Sequence, residues 1–141
     1  MKWILGLLML FFIGTVQGQS VTGLWKTIDD DSGAEKSLVE IYEEDGRIYG
    51  KVKEILNPDR ADIVCDRCSG EKKDQPVQGM VIIEGLKKDG DQYSGGTILD
   101  PEKGKVYKCK LWVDADNPNI LNVRGYIAFL YRTQYWKRVE E

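Results

Sequence analysis

Histidine is missing from this 141-residue chain, and cysteine occurs only three times. Histidine is both the commonest metal ligand and the commonest general base near neutral pH. Its absence removes a required group from most hydrolase mechanisms and from most zinc sites. We therefore expect no enzyme activity, no bound metal and no cofactor.

The chain also lacks an excess of basic residues. Lys and Arg together number 20 against 23 Asp and Glu, which gives a formal net charge of -3. Proteins that hold nucleic acid through its phosphates usually carry a strong basic excess, so nucleic acid is not an expected partner. With 42% hydrophobic and 30% charged residues, the composition is typical of one soluble globular domain.

Long hydrophobic runs are missing except near the N-terminus, where Lys2 precedes an apolar run over residues 3–13. This run is shorter than the roughly 20 residues that a spanning helix needs, which argues against a membrane anchor. The compact residues Val16 and Gly18 fit the cleavage site of a secretory signal peptide. The sequence thus predicts a signal peptide over residues 1–18, a single domain over 19–141, and export to the periplasm or the exterior without a stable membrane span.

Cys65 and Cys68 are separated by two residues, and Cys109 stands alone. In an oxidising compartment an unpaired thiol is unusual. The Cys-x-x-Cys spacing suits a structural disulfide, a redox-active disulfide or half of a zinc site. Because the pair lies in a Pro-containing connection and four zinc ligands are not at hand, the sequence favours a structural disulfide, with Cys109 as a buried thiol.

The remaining sequence alternates with period two and is interrupted by turn signals at short intervals, which is typical of an all-β chain. Eight strands are predicted, at residues 21–27, 37–44, 47–55, 79–86, 92–99, 105–113, 120–127 and 132–139. One long connection, over residues 56–78, holds Cys65 and Cys68. The pattern predicts an eight-stranded antiparallel up-and-down β-barrel, with a two-sheet sandwich as the alternative.

Several segments carry a family resemblance. Gly23-x-Trp25 resembles the Gly-x-Trp signature of the lipocalin and fatty-acid-binding barrels. Most of the chain after the leader is similar to domain-of-unknown-function family 2147, whose members are small secreted bacterial proteins. The other matching segments lie at residues 39–42, 65–70, 76–82, 96–101, 123–126 and 132–138. The resemblance implies a lipocalin-like barrel in the bacterial envelope or exterior, and it brings no established activity.

Gly23, Trp25 and Arg138 are the residues expected to close this barrel. The glycine lets the chain bend beneath the barrel floor, the indole fills the floor, and an arginine from the last strand covers the indole. The first and last strands should be antiparallel neighbours. Arg138, near the end of the last strand, is therefore better placed than Arg132 to contact Trp25.

Four polar residues of the last two strands are candidates for ligand binding. If the arginine-bearing faces of both strands point inward, these residues form a head-group site for a carboxylate, which a guanidinium matches in a forked geometry. If those faces point outward, the same residues are solvated surface. The four candidates are Arg124, Tyr126, Arg132 and Gln134.

The favoured functional hypothesis is an exported, non-enzymatic barrel that binds a small apolar or amphipathic ligand or an envelope component. One alternative is an envelope structural or stress-related interaction protein whose barrel is filled by side chains. The other is a thiol–disulfide redox protein that uses Cys65 and Cys68. Interior packing distinguishes the first two hypotheses, and thiol exposure distinguishes the third.

Overall fold

Eight antiparallel strands account for most of residues 20–140, the part of the chain that the computed structural model describes. They are β1 (Gly23–Ile28), β2 (Glu35–Glu44), β3 (Arg47–Ile55), β4 (Val81–Asp89), β5 (Gln92–Asp100), β6 (Lys105–Val113), β7 (Ile120–Ile127) and β8 (Leu130–Arg138). The strands follow chain order around a closed barrel, in which β8 pairs with β1. The predicted up-and-down barrel is confirmed, and the sandwich alternative is wrong. The predicted signal peptide over residues 1–18 lies outside the described residues.

The observed strand starts differ from the predicted ones by two residues at β1, β2, β4 and β8. β4 starts at Val81 instead of residue 79, and β8 starts at Leu130 instead of residue 132. The β7–β8 turn contains only Ala128 and Phe129, so Leu130 pairs directly with Ile127. Because neither turn residue is Gly, Asn or Asp, the sequence carries no marked turn signal at this point.

Alternate side chains of the strands fill the barrel interior, as the period-two pattern requires. On β7, Leu121 and Val123 are buried, and they pair with Trp136 and Gln134 of β8. The interior is densest toward the end where β1 starts and β8 finishes. The side chains with less than 2% exposure include Trp25, Trp136, Ile41, Ile83, Leu86, Leu111, Leu121 and Val39.

A β-bulge interrupts β5 at two adjacent glycines, Gly95 and Gly96. The pairing of β5 with β6 shifts register between Tyr93 and Gly96. Gly95 has φ +82°, and a Cβ at Gly96 would collide with the backbone carbonyl of Glu84 on β4. Glycine is required here because the neighbouring backbone leaves no room for a side chain.

The two ends of the barrel carry different connections. The floor end holds the start of β1, the β2–β3 and β4–β5 hairpins, the β6–β7 loop and the end of β8. The opposite end, here called the open end, holds the β1–β2, β5–β6 and β7–β8 turns and the long connection over residues 56–80. That connection contains two single-turn 3₁₀ helices, Pro58–Arg60 and Gly70–Lys72. Within residues 20–140, no helix is both long enough and apolar enough to traverse a bilayer.

Candidate functional site

Trp25 and Arg138 meet at the floor of the barrel. The two residues are paired across β1 and β8, and the guanidinium carbon of Arg138 lies 4.2 Å from the centre of the indole ring. The Trp25 Nε1 donates a hydrogen bond to the carbonyl of Val21 at 2.9 Å. Arg138 donates to the carbonyls of Ser20 at 2.9 Å and Pro118 at 3.2 Å. These contacts tie the N-terminal segment and the β6–β7 loop across the floor, so this end offers no entrance.

Gly23 lies where the chain turns into β1 beneath this floor. Its φ of +126° is a backbone conformation that residues with a side chain rarely adopt. A Cβ at this position would lie 3.7 Å from Nη1 of Arg138, in ordinary contact. The requirement for glycine at residue 23 is therefore set by the backbone conformation and not by crowding.

The four candidate ligand-binding residues do not share one face of the barrel. Opposite residues of an antiparallel pair project to the same side of the sheet. Arg132 is opposite Gly125, and Gln134 is opposite the buried Val123, so both point inward. Arg124 and Tyr126 occupy the alternate positions of β7 and point outward. The prediction that all four residues form one carboxylate-binding site is therefore wrong. Arg124 is opposite Thr133 and not opposite Arg132, so the two arginines project to different sides of the sheet.

Arg124 is held on the outer surface by aromatic neighbours. Its Nε donates a hydrogen bond to Thr133 Oγ1 at 2.8 Å. Its guanidinium carbon lies 4.3 Å from the ring centre of Tyr131 and 4.9 Å from that of Trp112. The rings of Tyr126 and Tyr131 are 5.9 Å apart and tilted by 50°. Arg124 and Tyr126 thus belong to an outer aromatic cluster.

Arg132 and Gln134 lie toward the open end of the barrel. Arg132 forms an ion pair with Asp30 in the β1–β2 turn, and its side chain is 61% exposed. Gln134 is half-buried, and its Oε1 accepts a hydrogen bond from the Trp136 Nε1 at 3.3 Å. The Gln134 amide thus contacts Trp136, and the Arg132 guanidinium lies at the rim of the barrel.

Other inward-facing residues near the open end are only half-buried, which means that solvent reaches them through that end. Tyr107 is opposite Ile98, which is in turn opposite the fully buried Ile83. Thr27 and Ser37 are paired across β1 and β2, and their hydroxyl oxygens are 2.7 Å apart. Aromatic, aliphatic, hydroxyl and amide groups therefore line this opening together. The half-buried lining includes Thr27, Ser37, Ile55, Ile98, Tyr107 and Gln134.

Sequence reasoning missed most of this lining, although a local signal for part of it exists. Thr27 is two residues from Trp25, and Tyr107 is two residues from Cys109, so each shares a strand face with a buried neighbour. Gly125 lies directly beneath Tyr107, because a Cβ at this position would lie 3.4 Å from the Cβ of Tyr107. A large side chain at residue 125 would occupy the space beside Tyr107.

The predicted bond between Cys65 and Cys68 is present in the long connection. The two Cα atoms are 5.3 Å apart, and both residues are buried. Cys109 is a free, buried thiol on β6, and burial raises its pKa to about 12. A buried disulfide and a protonated thiol give an attacking thiolate little access, which argues against exchange chemistry at these residues.

Two open clefts lie beside the long connection. One, of about 620 Å³, is lined by residues that include Arg60, Arg67 and Glu102. The other, of about 700 Å³, is lined by residues that include Leu24, Leu38 and Gln78. Among residues 20–140, no group of three or more Cys, Asp or Glu side chains is placed to hold a metal ion.

Comparisons with known proteins agree with this architecture. The family model described as "Uncharacterized protein conserved in bacteria (DUF2147)" matches residues 23–138. The solved structure of HP1028 from the human pathogen Helicobacter pylori, a protein of the lipocalin family, is similar to this chain with a TM-score of 0.75 and 18% identity. That likeness covers 88% of this chain and 86% of the other, and at such identity it shows the fold alone. No curated protein gives a significant match.

Proposed function

This chain belongs to the DUF2147 family of proteins conserved in bacteria, and on that basis and on its lipocalin-like barrel we propose that it binds a small amphipathic molecule at the open end. The supporting observation is the contrast between the two ends. Trp25 and Arg138 close the floor, whereas inward-facing residues at the other end stay accessible to solvent. Small β-barrels commonly hold one small ligand in such a mouth.

The chemistry of the lining favours an amphipathic ligand. Ile98 and Tyr107 supply apolar surface, and burial of each ligand methylene there contributes about 0.8 kcal/mol. Gln134 and the hydroxyls of Thr27 and Ser37 supply hydrogen-bonding groups at the same depth. A ligand with its apolar part against Ile98 and Tyr107 and its polar group toward the hydroxyls of Thr27 and Ser37 would contact both kinds of surface.

Arg132 offers a cation to an anionic head group at the rim of the open end. Its ion pair with Asp30 is largely exposed, and such surface pairs contribute only about 0–1 kcal/mol. A ligand carboxylate or sulfonate can therefore replace Asp30 at small cost, with two parallel hydrogen bonds from the guanidinium. This assigns a binding role to Arg132 and Gln134 and none to Arg124 and Tyr126.

We further propose that the protein acts after export and by binding, not by catalysis. The N-terminal apolar run and the Cys65–Cys68 bond both suit an oxidising compartment outside the cytoplasm. Among the described residues, the hydroxyls of Thr27 and Ser37 are hydrogen-bonded to each other and not to a carboxylate or an amine that would activate them as nucleophiles.

The test is a titration with 8-anilinonaphthalene-1-sulfonate, an amphipathic anion whose fluorescence rises in apolar surroundings. We expect saturable 1:1 binding. Gly125→Leu should weaken it about tenfold or more, because the new side chain occupies the opening and removes the apolar contact. Arg132→Gln should weaken it about tenfold by removing the charge-assisted hydrogen bonds.

Tyr135→Leu, an outward change on β8, and Phe129→Ser, in the β7–β8 turn, are the controls and should leave probe binding unchanged. Native mass spectrometry of the protein purified from its own compartment would then identify a ligand carried along. If Gly125→Leu binds the probe as wild type does, the open end is not the site.

That result would favour a second function, an interaction protein with a filled barrel. The observation on its side is the packing of the lower interior, where Trp25, Trp136 and Leu111 are fully or almost fully buried. In that case the outer surface, and not the interior, would carry the partner.

A further inference from the structure

The turn between β7 and β8 exposes an unbroken apolar stretch, residues 127–131, at the open end. Phe129 is 89% exposed, Leu130 65% and Ile127 52%. Singly scattered apolar residues on a surface need no explanation, but a contiguous apolar tip marks an interaction site.

The composition of this turn is not explained by turn geometry. The other two-residue turns of the barrel are Asp45–Gly46 and Gly90–Asp91, which have the polar and glycine residues that tight hairpins favour. At the β7–β8 turn, Ala128 instead adopts φ 52°, a left-handed conformation that costs an alanine energy. The chain therefore retains an apolar turn where a polar one would fold more easily.

Positive charge is concentrated on the strands that carry this turn. β6, β7 and β8 contain no Asp or Glu, whereas β2 alone contains four Glu. Within residues 20–140, none of the outward-facing cations of β6 to β8 forms an ion pair. These cations are Lys108, Lys110, Arg124 and Lys137.

Aromatic side chains lie between these cations. Trp112 and Tyr131 are on either side of Arg124, and Tyr126 contacts Tyr131. Tyr135 is 59% exposed on the same side of β8. We call the outward positions of β6 to β8, together with the turn at residues 127–131, the cationic aromatic face.

We propose that the cationic aromatic face docks the protein on the surface of an anionic lipid bilayer, with the β7–β8 turn inserted at the level of the upper acyl chains. Each part of the face matches one layer of such a surface. Phe129, Leu130 and Ile127 suit the hydrocarbon, tyrosine and tryptophan suit the interface, and the unpaired cations suit the headgroup phosphates. The contact is peripheral and requires no spanning segment.

Two other occupants fit the face less well. A second copy of this chain, joined through the same face by a twofold axis, would oppose one set of unpaired cations to another, which is unfavourable. A glycan would stack on the tyrosines, but its hydroxyls gain nothing from the aliphatic side chains of Leu130 and Ile127.

The test is flotation with phosphatidylcholine vesicles, with and without phosphatidylglycerol. The protein is the form that begins at residue 19, which contains all eight strands and lacks the apolar run at residues 3–13. We expect binding only to the phosphatidylglycerol vesicles, and we expect added salt to weaken it by screening the headgroups.

Two variants and their matched controls locate the contact. Phe129→Ser should lower the partition coefficient about tenfold, through the loss of one inserted aromatic side chain. The double variant Lys108→Gln and Lys110→Gln should lower the partition coefficient about 25-fold, since each cation near an anionic surface contributes roughly fivefold. Val64→Ser, an exposed apolar position in the long connection, and the double variant Lys87→Gln and Lys88→Gln on β4 should bind as wild type does.

Ala128→Gly adds a check that the turn acts through its apolar residues and not through its strain. This variant removes the strain of an alanine at φ 52° and should keep vesicle binding. Loss of binding in the β4 controls to the same extent as in the β6 variants would overturn the proposal. So would equal binding to both kinds of vesicle, retention on a polyanionic glycan without vesicle binding, or a dimer in sedimentation that Phe129→Ser abolishes.

Discussion

Trp25 is the single residue on which the floor of the barrel depends most. It is completely buried, its ring faces Arg138, and its Nε1 holds the carbonyl of Val21. Trp25→Ala should lower the free energy of unfolding by about 3–5 kcal/mol, the usual range for removing a large buried aromatic side chain. Urea denaturation measures this change, and a loss below about 1 kcal/mol would mean that the indole does not support the floor.

Arg138 stabilises the same floor by covering one face of the Trp25 indole ring. Partial burial lowers its pKa from the usual value, and the indole face and the carbonyls offset the lost hydration. Arg138→Lys keeps the charge but loses the planar fork that reaches several carbonyls at once. We expect it to cost about 1 kcal/mol, measured by urea denaturation beside Arg132→Lys, an exposed change that should cost less.

Cys109 should make the stability of the barrel depend on pH in the alkaline range. Burial raises the pKa of its thiol from 9.0 to about 12. The unfolded chain therefore releases this proton at a lower pH than the folded chain does. The resulting stabilisation is complete below pH 9.0 and is lost as the pH rises toward about 12.

The measurement is urea denaturation of wild type and Cys109→Ala at several pH values within that window. The lysines and tyrosines titrate in both proteins, so the difference between the two isolates the thiol. The advantage of wild type over the variant should shrink by up to about 1.4 kcal/mol for each pH unit. A difference that stays constant with pH would show that Cys109 titrates normally in the folded barrel.

The long connection is held by hydrogen bonds at several points besides its disulfide. Cys65 exchanges backbone hydrogen bonds with the segment at Asp74 and Gln75, and Lys72 donates to the carbonyl of Val81 at 2.8 Å. A bond that closes so short a loop removes little chain entropy, so its contribution should fall below roughly 3 kcal/mol. Reduction should therefore loosen residues 56–80 and leave the barrel folded.

Hydrogen exchange, measured on the oxidised and on the reduced protein, tests this loosening of the long connection. We expect faster exchange in residues 56–80 and unchanged protection in β6 to β8. Cys65→Ser with Cys68→Ser should reproduce the reduced pattern, and Cys109→Ser should not. Global unfolding on reduction would show that the disulfide supports the barrel itself.

The β7–β8 hairpin stores strain that one substitution should release. Ala128→Gly should raise the free energy of unfolding by about 0.5–1 kcal/mol, because glycine adopts φ 52° without the penalty that a Cβ brings. Ala128→Val should destabilise the protein, since a β-branched side chain tolerates this conformation even less. Thermal unfolding of wild type and the two variants tests the expected order of melting temperature, which is highest with Gly at residue 128, intermediate with Ala and lowest with Val.

Charge and polarity are distributed unevenly around the barrel. The acidic residues of β2 and the acid-free strands β6 to β8 lie on different sides, and the β7–β8 turn projects from the open end. If the cationic aromatic face rests on a bilayer, the ligand opening at the same end is held beside it. The distribution is thus consistent with both the proposed ligand and the proposed surface.

Export is the remaining prediction for the whole molecule. The protein recovered from its cells should begin at Gln19 and carry no lipid, because the apolar run at residues 3–13 has the length of a cleaved leader. Intact mass spectrometry of protein from the culture medium and from osmotic-shock fluid measures this. A mass that includes Lys2 and the apolar run would contradict the prediction.

Local sequence patterns predict the strand count, the antiparallel order of the strands and the bond between Cys65 and Cys68. These follow from short-range physics. Alternation along a strand is set by backbone geometry, turns need particular residues, and two cysteines three positions apart at the ends of one turn are already close.

Which side chains meet across neighbouring strands depends on the register of the folded barrel. The β7–β8 register places Arg124 opposite Thr133 and Arg132 opposite Gly125, so one arginine faces out and the other in. A shift of one residue would bring both to the same face, and the strand patterns of β7 and β8 allow either pairing. Register depends on turn length and on closure of the whole ring, which are non-local, and for that reason the open end and the cationic aromatic face emerge only from the folded barrel.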